Sequence, residues 1–428
     1  MEKKHFQLSA VFAAVYFFSP NGLGALPNLS LSFVLKDQLK LAPSQMAYFQ
    51  AVTLLAWVIK PLWGFISDSF PLFGTKRKSY LVLTSGLAAG SWIFLGTLEV
   101  LTLGSLLLII SICYLAYAFQ DVVTDGLMID IGKPLNLTGQ FQSVQWCSVY
   151  AAMILTSLLG GVLSEWGQKG ILPYSKVFLM TAAFPLMTLL LAVFFVKEER
   201  QDPSRVLPKE PRGVWAKKEV WLLSFFLFLW NFSPSFGAPF FYYSVDTLKF
   251  SGSFLGVIQG ITSFAALLGS LFFGKFIAKL PVRKFLIFSV FAGVAMILMT
   301  YIFFIPALVA HTVLLKTISI VWSFLLGILN AVVFLALLNL AARVSPDGAG
   351  ATAFALIMSF YNFGLMGSSA LGGFLFPLVG LKLLILISAL FSLLVLFVMP
   401  ALPIQEELTA LERLLQKVTA KPRKANHE

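Results

Sequence analysis

The chain has 428 residues, 58% hydrophobic and 12% charged, with 43 phenylalanines and a mean hydropathy of +0.88. A soluble protein carries about twice that charged fraction, so the composition excludes one and predicts a polytopic membrane protein. The net charge of +12 is then a matter of membrane topology, not of nucleic-acid binding.

A span needs roughly 20 apolar residues. Such runs are predicted at 8–35, 44–66, 80–98, 102–131, 139–163 and 175–196, then at 218–245, 252–277, 283–304, 312–342, 349–371 and 378–399. The expected organisation is an N-terminal six-helix bundle (1–196), a linker (197–217), a C-terminal six-helix bundle (218–399) and a tail (400–428). "MEKKHF" and the apolar run after it lack a small-residue cleavage site, so they read as a first span and not as a signal peptide. Cys113 and Cys147 fall inside predicted spans, where small buried hydrophobes are expected and a disulfide framework is not. The linker is charged and Pro-rich, which suits a tether. In the tail, Ile404, Leu408, Leu411, Leu415 and Val418 form one face of an amphipathic helix. The "KPRK" that follows would meet anionic lipid, or the helix would pack on the cytoplasmic face of the bundle.

Lysine and arginine set the orientation. Of the 31 basic residues, 23 fall on the side holding both termini, Lys76 to Lys78, Lys133, the linker and Arg343, and seven fall on the other. Both termini and the linker are therefore expected in the cytoplasm. Lys60 alone lies deep in a span.

The halves look related. "FSP" at 18–20 recurs at 232–234, in the first span of each half. At an offset of 210, Gln120 matches Asn330, Leu127 matches Leu337, Lys133 matches Arg343 and Gly64 matches Gly274. Together these predict two repeats of the same orientation. Six plus six parallel spans with a cytoplasmic linker resemble the major facilitator superfamily. That resemblance implies a cavity between the halves near the midplane, lined by the first and fourth span of each.

"KPLWGFISDSFPLFGTKRKSYL" (60–81) puts Gly64 and Asp68 four apart at a cytoplasmic helix end, before Lys76, Arg77 and Lys78. Asp68 would cap the next helix or pair with a neighbouring basic residue, as a latch that holds in one conformation and releases in the other. A plain helix end with topology-setting charges is the simpler reading. The second half has Ala278 where Asp68 would be, so a latch would be one-sided. "WVIKPLWGFISDSFPLFGTKRKSYL" with "FQDVVTDGLMID" resembles the folate–biopterin transporter family of the major facilitator superfamily, strongest over residues 50–146. "GQFQSVQW" (139–146) is similar to that family's fifth-span segment. The Asp-x-x-x-Asp alone is less specific, since muropeptide permeases and acetyl-CoA transporters carry similar pairs. The short outer loops fit a bacterial member, hence an inner or plasma membrane.

Asp121, Asp125 and Asp130 interrupt the fourth span. At ~100° per residue, Asp121 and Asp125 lie ~40° apart, while Asp130 lies ~180° from Asp121. Asp121 is ~15 Å and Asp125 ~9 Å from the cytoplasmic end at 1.5 Å rise per residue. An ionised carboxylate at that depth costs roughly 3 kcal/mol. It must face a cavity, find a cation or take a proton. Lys60 is at similar depth and can pair with either aspartate; a purely structural ion pair is the plainer alternative. Asp130 falls near the cytoplasmic end, where it would join the latch with Lys133, Arg77 or Lys78 as partner, or simply be solvated at the helix end. The family resemblance adds a solute. A pterin edge offers adjacent N–H and NH2 donors that one carboxylate can accept, so one aspartate would read the pterin and the other carry the proton.

Asn21, Gln120, Gln142, Gln145 and Trp146 in the first half, and Asn231, Gln259, Asn330, Tyr361 and Asn362 in the second, complete the candidate site. Helix–helix hydrogen bonding explains each of them as well as ligand contact does. The second half has almost no deep charge, which places coupling in the first. No phosphate-binding loop and no metal-ligand cluster is visible, and His5, His311 and His427 sit at edges or tails. The expectation is a monomeric, proton-coupled secondary carrier of folate or pterin in contact with membrane lipid, without cofactor or enzymatic activity. A carrier of a muropeptide or nucleotide conjugate, or a receptor that keeps the fold without transporting, is the alternative.

Overall fold

In lipid every backbone N–H and C=O must be satisfied within the chain, and apolar runs of this length do so as helices. Accordingly, the regular elements of the computed structural model are helical among the described residues, apart from one isolated bridge between Leu72 and Thr75. The structure describes residues 2–132, 135, 137–198, 217–275, 281–344 and 350–402. Lys133, Ala278, linker residues 199–216 and the tail with its predicted amphipathic face lie outside them, as do the surroundings of Gly274 and the side chain of Arg343.

The helices in chain order are α1 (Glu2–Phe17), α2 (Asn28–Phe33), α3 (Pro43–Val58), α4 (Lys60–Ser69), α5 (Lys78–Thr97), α6 (Leu103–Gly132), α7 (Thr138–Gln168), α8 (Tyr174–Thr181) and α9 (Ala183–Phe194). After the linker come α10 (Lys218–Asn231), α11 (Gly237–Asp246), α12 (Gly252–Lys275), α13 (Val282–Met299), α14 (Pro306–Val309), α15 (Thr312–Val344), α16 (Gly350–Ser392) and α17 (Val395–Val398). Among the described residues, nine helical stretches are long and apolar enough to cross a membrane.

The differences from the predicted spans fall at proline and glycine. The expected first span, 8–35, is broken: α1 stops before Phe18-Ser19-Pro20, and the chain resumes through a short 3-10 turn into α2. The expected seventh span, 218–245, breaks at the matching Phe232-Ser233-Pro234, between α10 and α11. So the recurring tripeptide marks a helix break in both halves. Pro185 has no N–H for the Thr181 carbonyl, and the sixth span divides there into α8 and α9. The eleventh and twelfth spans are not separated by a loop. They are two arms of α16 that meet at Gly380, whose φ of +73° only glycine adopts freely, just after Pro377.

A turn repeats between the halves. Lys40 and Lys249 are both left-handed, with φ of 52° and 56°. Around them Leu39 and Leu41 donate to Val34 and Leu35, and Leu248 and Phe250 donate to Tyr243 and Ser244 in the same pattern.

The halves of the chain pack through α7 against α12 and through α3 against α16. The first contact is backbone on backbone. A Cβ on Gly161 would stand 2.7 Å from the Gly256 Cα, and one on Gly252 would stand 2.9 Å from the Glu165 nitrogen. This contact lies at the end of the bundle that also carries Lys36, called the far end here; the end with Arg77 and Glu198 is the linker end. At the far end Lys36 Nζ is 2.7 Å from Asp246 across the halves and 3.2 Å from Asp37. Nearby, Tyr242 donates its hydroxyl to the Leu41 carbonyl.

Candidate functional site

Three features of the first half converge on α6. The break after α1 turns Asn21 inward, the α3–α4 junction points Lys60 inward, and α6 carries Asp121 and Asp125 one turn apart. Lys60 Nζ lies 2.6 Å from Asp121 Oδ2, with both side chains largely buried at 16% and 11% exposure. Asn21 Nδ2 donates to the other oxygen of Asp121 at 3.2 Å. Of the two pairings open to Lys60, the structure holds the one with Asp121. The same ammonium stands 4.6 Å from the centre of the Trp57 ring, a cation–π contact that supplements the ion pair.

Asp125 has different company. Its Oδ1 accepts from the Tyr16 hydroxyl at 2.7 Å and from Gln145 Nε2 at 3.2 Å. Both donors are neutral, and no cation lies in salt-bridge range of Asp125 among the described residues. The two carboxylates are thus chemically unlike. Asp121 has both oxygens engaged and its charge balanced, whereas Asp125, among the described residues, has one oxygen engaged and no cation in salt-bridge range.

The other predicted site residues are distributed more widely. Gln120 is packed at 1% exposure beside the pair, with its Oε1 unpartnered among the described residues. Gln142, one turn from Gln145, and Asn330 are both exposed. Trp146 lies tilted against Tyr150 and stands edge-on to Phe334 of α15, 5.2 Å between centres, a contact between the halves. Tyr361 faces Phe334 in turn. Asn231 donates to the Tyr361 carbonyl at 3.3 Å and ties α10 to α16. Asn362 reaches across the halves to the Trp57 carbonyl at 3.3 Å. Gln259 lines a separate cleft with Asn28, Thr156 and Ser263.

At the linker end the latch residues form a cluster around one arginine. Arg77, 8% exposed, donates from NH2 to Asp68 at 2.6 Å, from NH1 to Ser67 at 2.6 Å and from Nε to Asp130 at 3.2 Å. It fits because Gly126 leaves room: a Cβ there would stand 2.6 Å from the guanidinium carbon. A Cβ on Gly64 would meet Val122 at 3.8 Å, an ordinary contact. Lys76 and Lys78 contribute backbone instead of charge. Their N–H groups and that of Arg77 donate to Glu198 at 2.7–3.2 Å, while Lys78 Nζ bonds the Val193 carbonyl. A carboxylate at the N-terminus of α5 satisfies orphan donors and complements the helix dipole.

Tyr16, Ser67 and Glu198 are the contacts that sequence reasoning missed. Tyr16 is one of 11 tyrosines and carries no charge to mark it. Glu198 had a usable signal, as the first acidic residue after the sixth span, facing a basic helix start.

A helical bundle with paired halves and a buried ionic site on one of them is the architecture of a membrane transporter with the major facilitator fold. A solved D-xylose–proton symporter superposes with a TM-score of 0.70 at 14% identity, covering 93% of this chain and 98% of that one. A nucleoside transporter, NupG, gives 0.64 at 17% identity over 93% and 98%. Residues 21–421 match the BT1 family, and the chain belongs to that family. A folate-biopterin transporter of Synechocystis sp. is 32% identical over 91% of this chain and 80% of its own length. Folate transporter 1 of Plasmodium falciparum is 26% identical over 83% and 70%.

Proposed function

We propose that this protein is a secondary active transporter of folate- or pterin-type solutes, coupled to protons and working by alternating access. The observation that carries the reading is the unlike pair on α6: Asp121 neutralised by Lys60, and Asp125 held, among the described residues, by Tyr16 and Gln145. A buried carboxylate without a cation is balanced most simply by a proton, which makes Asp125 the coupling group. Asp121, Lys60 and Asn21 then receive the solute, because an N–H/NH2 edge can replace the lysine on the carboxylate. Trp57, already under Lys60, offers a flat wall for a heterocycle. The names of the relatives support this class of solute.

In this reading, the division at 197–217 separates two six-helix bundles that rock about the site. The termini and linker face the cytoplasm of a cell whose inner or plasma membrane holds the monomer, with lipid around it. Arg77, Asp68 and Asp130 then form the latch on the cytoplasmic side.

The test is uptake of folic acid, 5-formyltetrahydrofolate and biopterin into proteoliposomes under an imposed pH gradient. The wild type should accumulate at least one of them with the gradient, and Asp125→Asn should bind it yet lose the response to the gradient. Wild-type uptake indifferent to the gradient, or no binding of any of the three, overturns the reading.

A further inference from the structure

Pro61 sits immediately after Lys60, at the junction of α3 and α4. Because proline has no N–H, the Trp57 carbonyl four residues earlier loses its helical partner. The junction is disturbed further at Ile59, whose ψ is +14°, and the Leu62 N–H bonds the Ile59 carbonyl at 2.9 Å, three residues back. Leu62 is the residue whose N–H would serve the Val58 carbonyl in a regular helix. Two successive carbonyls, Trp57 and Val58, are therefore open on one side of the second span. In a membrane an open carbonyl needs another partner.

Both find one in the other half of the chain, on the same helix and one turn apart. Asn362 Nδ2 donates to the Trp57 carbonyl at 3.3 Å, and the Ser359 hydroxyl donates to the Val58 carbonyl. Two residues further along the same backbone is Lys60, whose ammonium is committed to Asp121. So one four-residue stretch, Trp57 to Lys60, carries a contact between the halves at its start and the ion pair of the site at its end. The Trp57 side chain closes the circuit by lying under the Lys60 ammonium.

We propose that Ser359 and Asn362 are positioning residues for Lys60. By holding the two carbonyls that Pro61 leaves open, they tie the Lys60–Asp121 pair to the closure of α3 against α16. The halves then cannot part at this level without moving the lysine, and release of the lysine by solute loosens the closure. The inference rests on the alternating-access reading above and adds the residues that join site and closure.

The experiment reads the closure directly, in the full chain and without solute. Spin labels are placed at Gln38 and Thr247, both exposed at the far end, on a Cys147→Ser background, since Cys147 is exposed and Cys113 buried. Pulsed electron paramagnetic resonance gives the ratio of near to far separations. Asn362→Ala and Ser359→Ala are each expected to move that ratio toward the far population by about five-fold, the factor that one net hydrogen bond is worth. Ser359→Thr keeps a hydroxyl and is expected to behave as the wild type. Two cycles make the claim specific. In a Pro61→Ala background, where residue 61 can serve the Trp57 carbonyl, Asn362→Ala is expected to shift the ratio by less than about two-fold. In a Lys60→Ala background its effect should shrink likewise. Equal shifts in all backgrounds, or no shift in any, overturn the proposal. If Asn362→Ala does not fold, Ser359→Ala against Ser359→Thr reads the same closure. Failure here leaves solute uptake untouched, and failure of uptake leaves these ratios readable.

Discussion

Asp37 and Asp246 stand at the same place in the two halves of the chain, and one lysine holds both. Lys36 Nζ is 3.2 Å from the first and 2.7 Å from the second. Each aspartate precedes the turn that contains a left-handed lysine, Lys40 or Lys249. The repeat is therefore visible in backbone geometry, and at the far end it brings equivalent residues face to face.

This contact sets a first prediction. Lys36→Met is expected to weaken far-end closure by about 1 kcal/mol, since Asp246 is half exposed and such pairs are partly screened. Burial pushes the Lys36 ammonium down, but the bonds from Asp246 and Asp37 outweigh it and leave the group above its ordinary value. A raised lysine contributes fully below its unfolded pKa of about 10.4 and is lost as pH rises through the folded value. The near separation between labels at Gln38 and Thr247 should therefore persist through neutral pH and give way only in strong alkali. Loss of closure between pH 6 and 8 would contradict it.

Tyr16→Phe removes one donor from Asp125 without changing shape. A bond to a charged group is worth roughly 1.5–3 kcal/mol and one to a neutral group about 1. At alkaline pH, where Asp125 has given up its proton, the substitution is expected to cost more stability in the wild type than in an Asp125→Asn background, and it should reduce gradient-driven uptake. Denaturation in detergent of the four variants gives the coupling. Equal cost in both backgrounds would mean that the hydroxyl does not serve the carboxylate.

For the Lys60–Asp121 pair, deleting one partner leaves a buried charge unpaired, at about 3–5 kcal/mol, while deleting both removes the problem. Lys60→Ala should thus melt well below Lys60→Ala/Asp121→Ala. Both should fail to transport. A double variant less stable than either single would show that the pair is held for its own stabilisation.

Gly126→Ala is expected to break the linker-end cluster from the opposite helix. The new methyl would occupy the place of the Arg77 guanidinium, so the contacts to Asp68, Asp130 and Ser67 cannot all survive. Arg77→Lys should lose most of the same contacts, because one ammonium cannot replace three directed donors. Cysteine accessibility at the linker end should rise in both variants relative to the wild type. Unchanged accessibility in Gly126→Ala would refute the packing argument.

Lys60 was readable in the sequence because it is a lone cation in an apolar span, and Coulomb energy at that depth demands a partner. The aspartate pair was readable for the same reason, as was the rim position of Asp130. What escaped was uncharged. A tyrosine hydroxyl in an aromatic-rich chain has no composition signal, so Tyr16 was invisible. The carbonyls of Trp57 and Val58 have no side-chain signature at all, although Lys60-Pro61 marks where a helical N–H is missing. "FSP" was legible as a repeat but not as a break, since proline in a long apolar run fits a kinked span as well as an interrupted one.

The bare crossing of α7 and α12 has a mechanical consequence. Where Gly161 meets Gly256, two backbones touch with no side chains between them. Such a surface has no rotamers to rearrange and no knobs to lift out of holes. Around that point, tilting one helix on the other changes dispersion contact in small steps, while the Ser253 N–H bond to Glu165 at 3.0 Å ties the two helices at one end. The crossing resembles a bearing pinned at one end: the bare backbones set the distance, and the Glu165–Ser253 and Lys36–Asp246 contacts must give before the angle changes. An alanine there would add a tooth to a smooth surface, and the penalty would fall on motion as well as on fit.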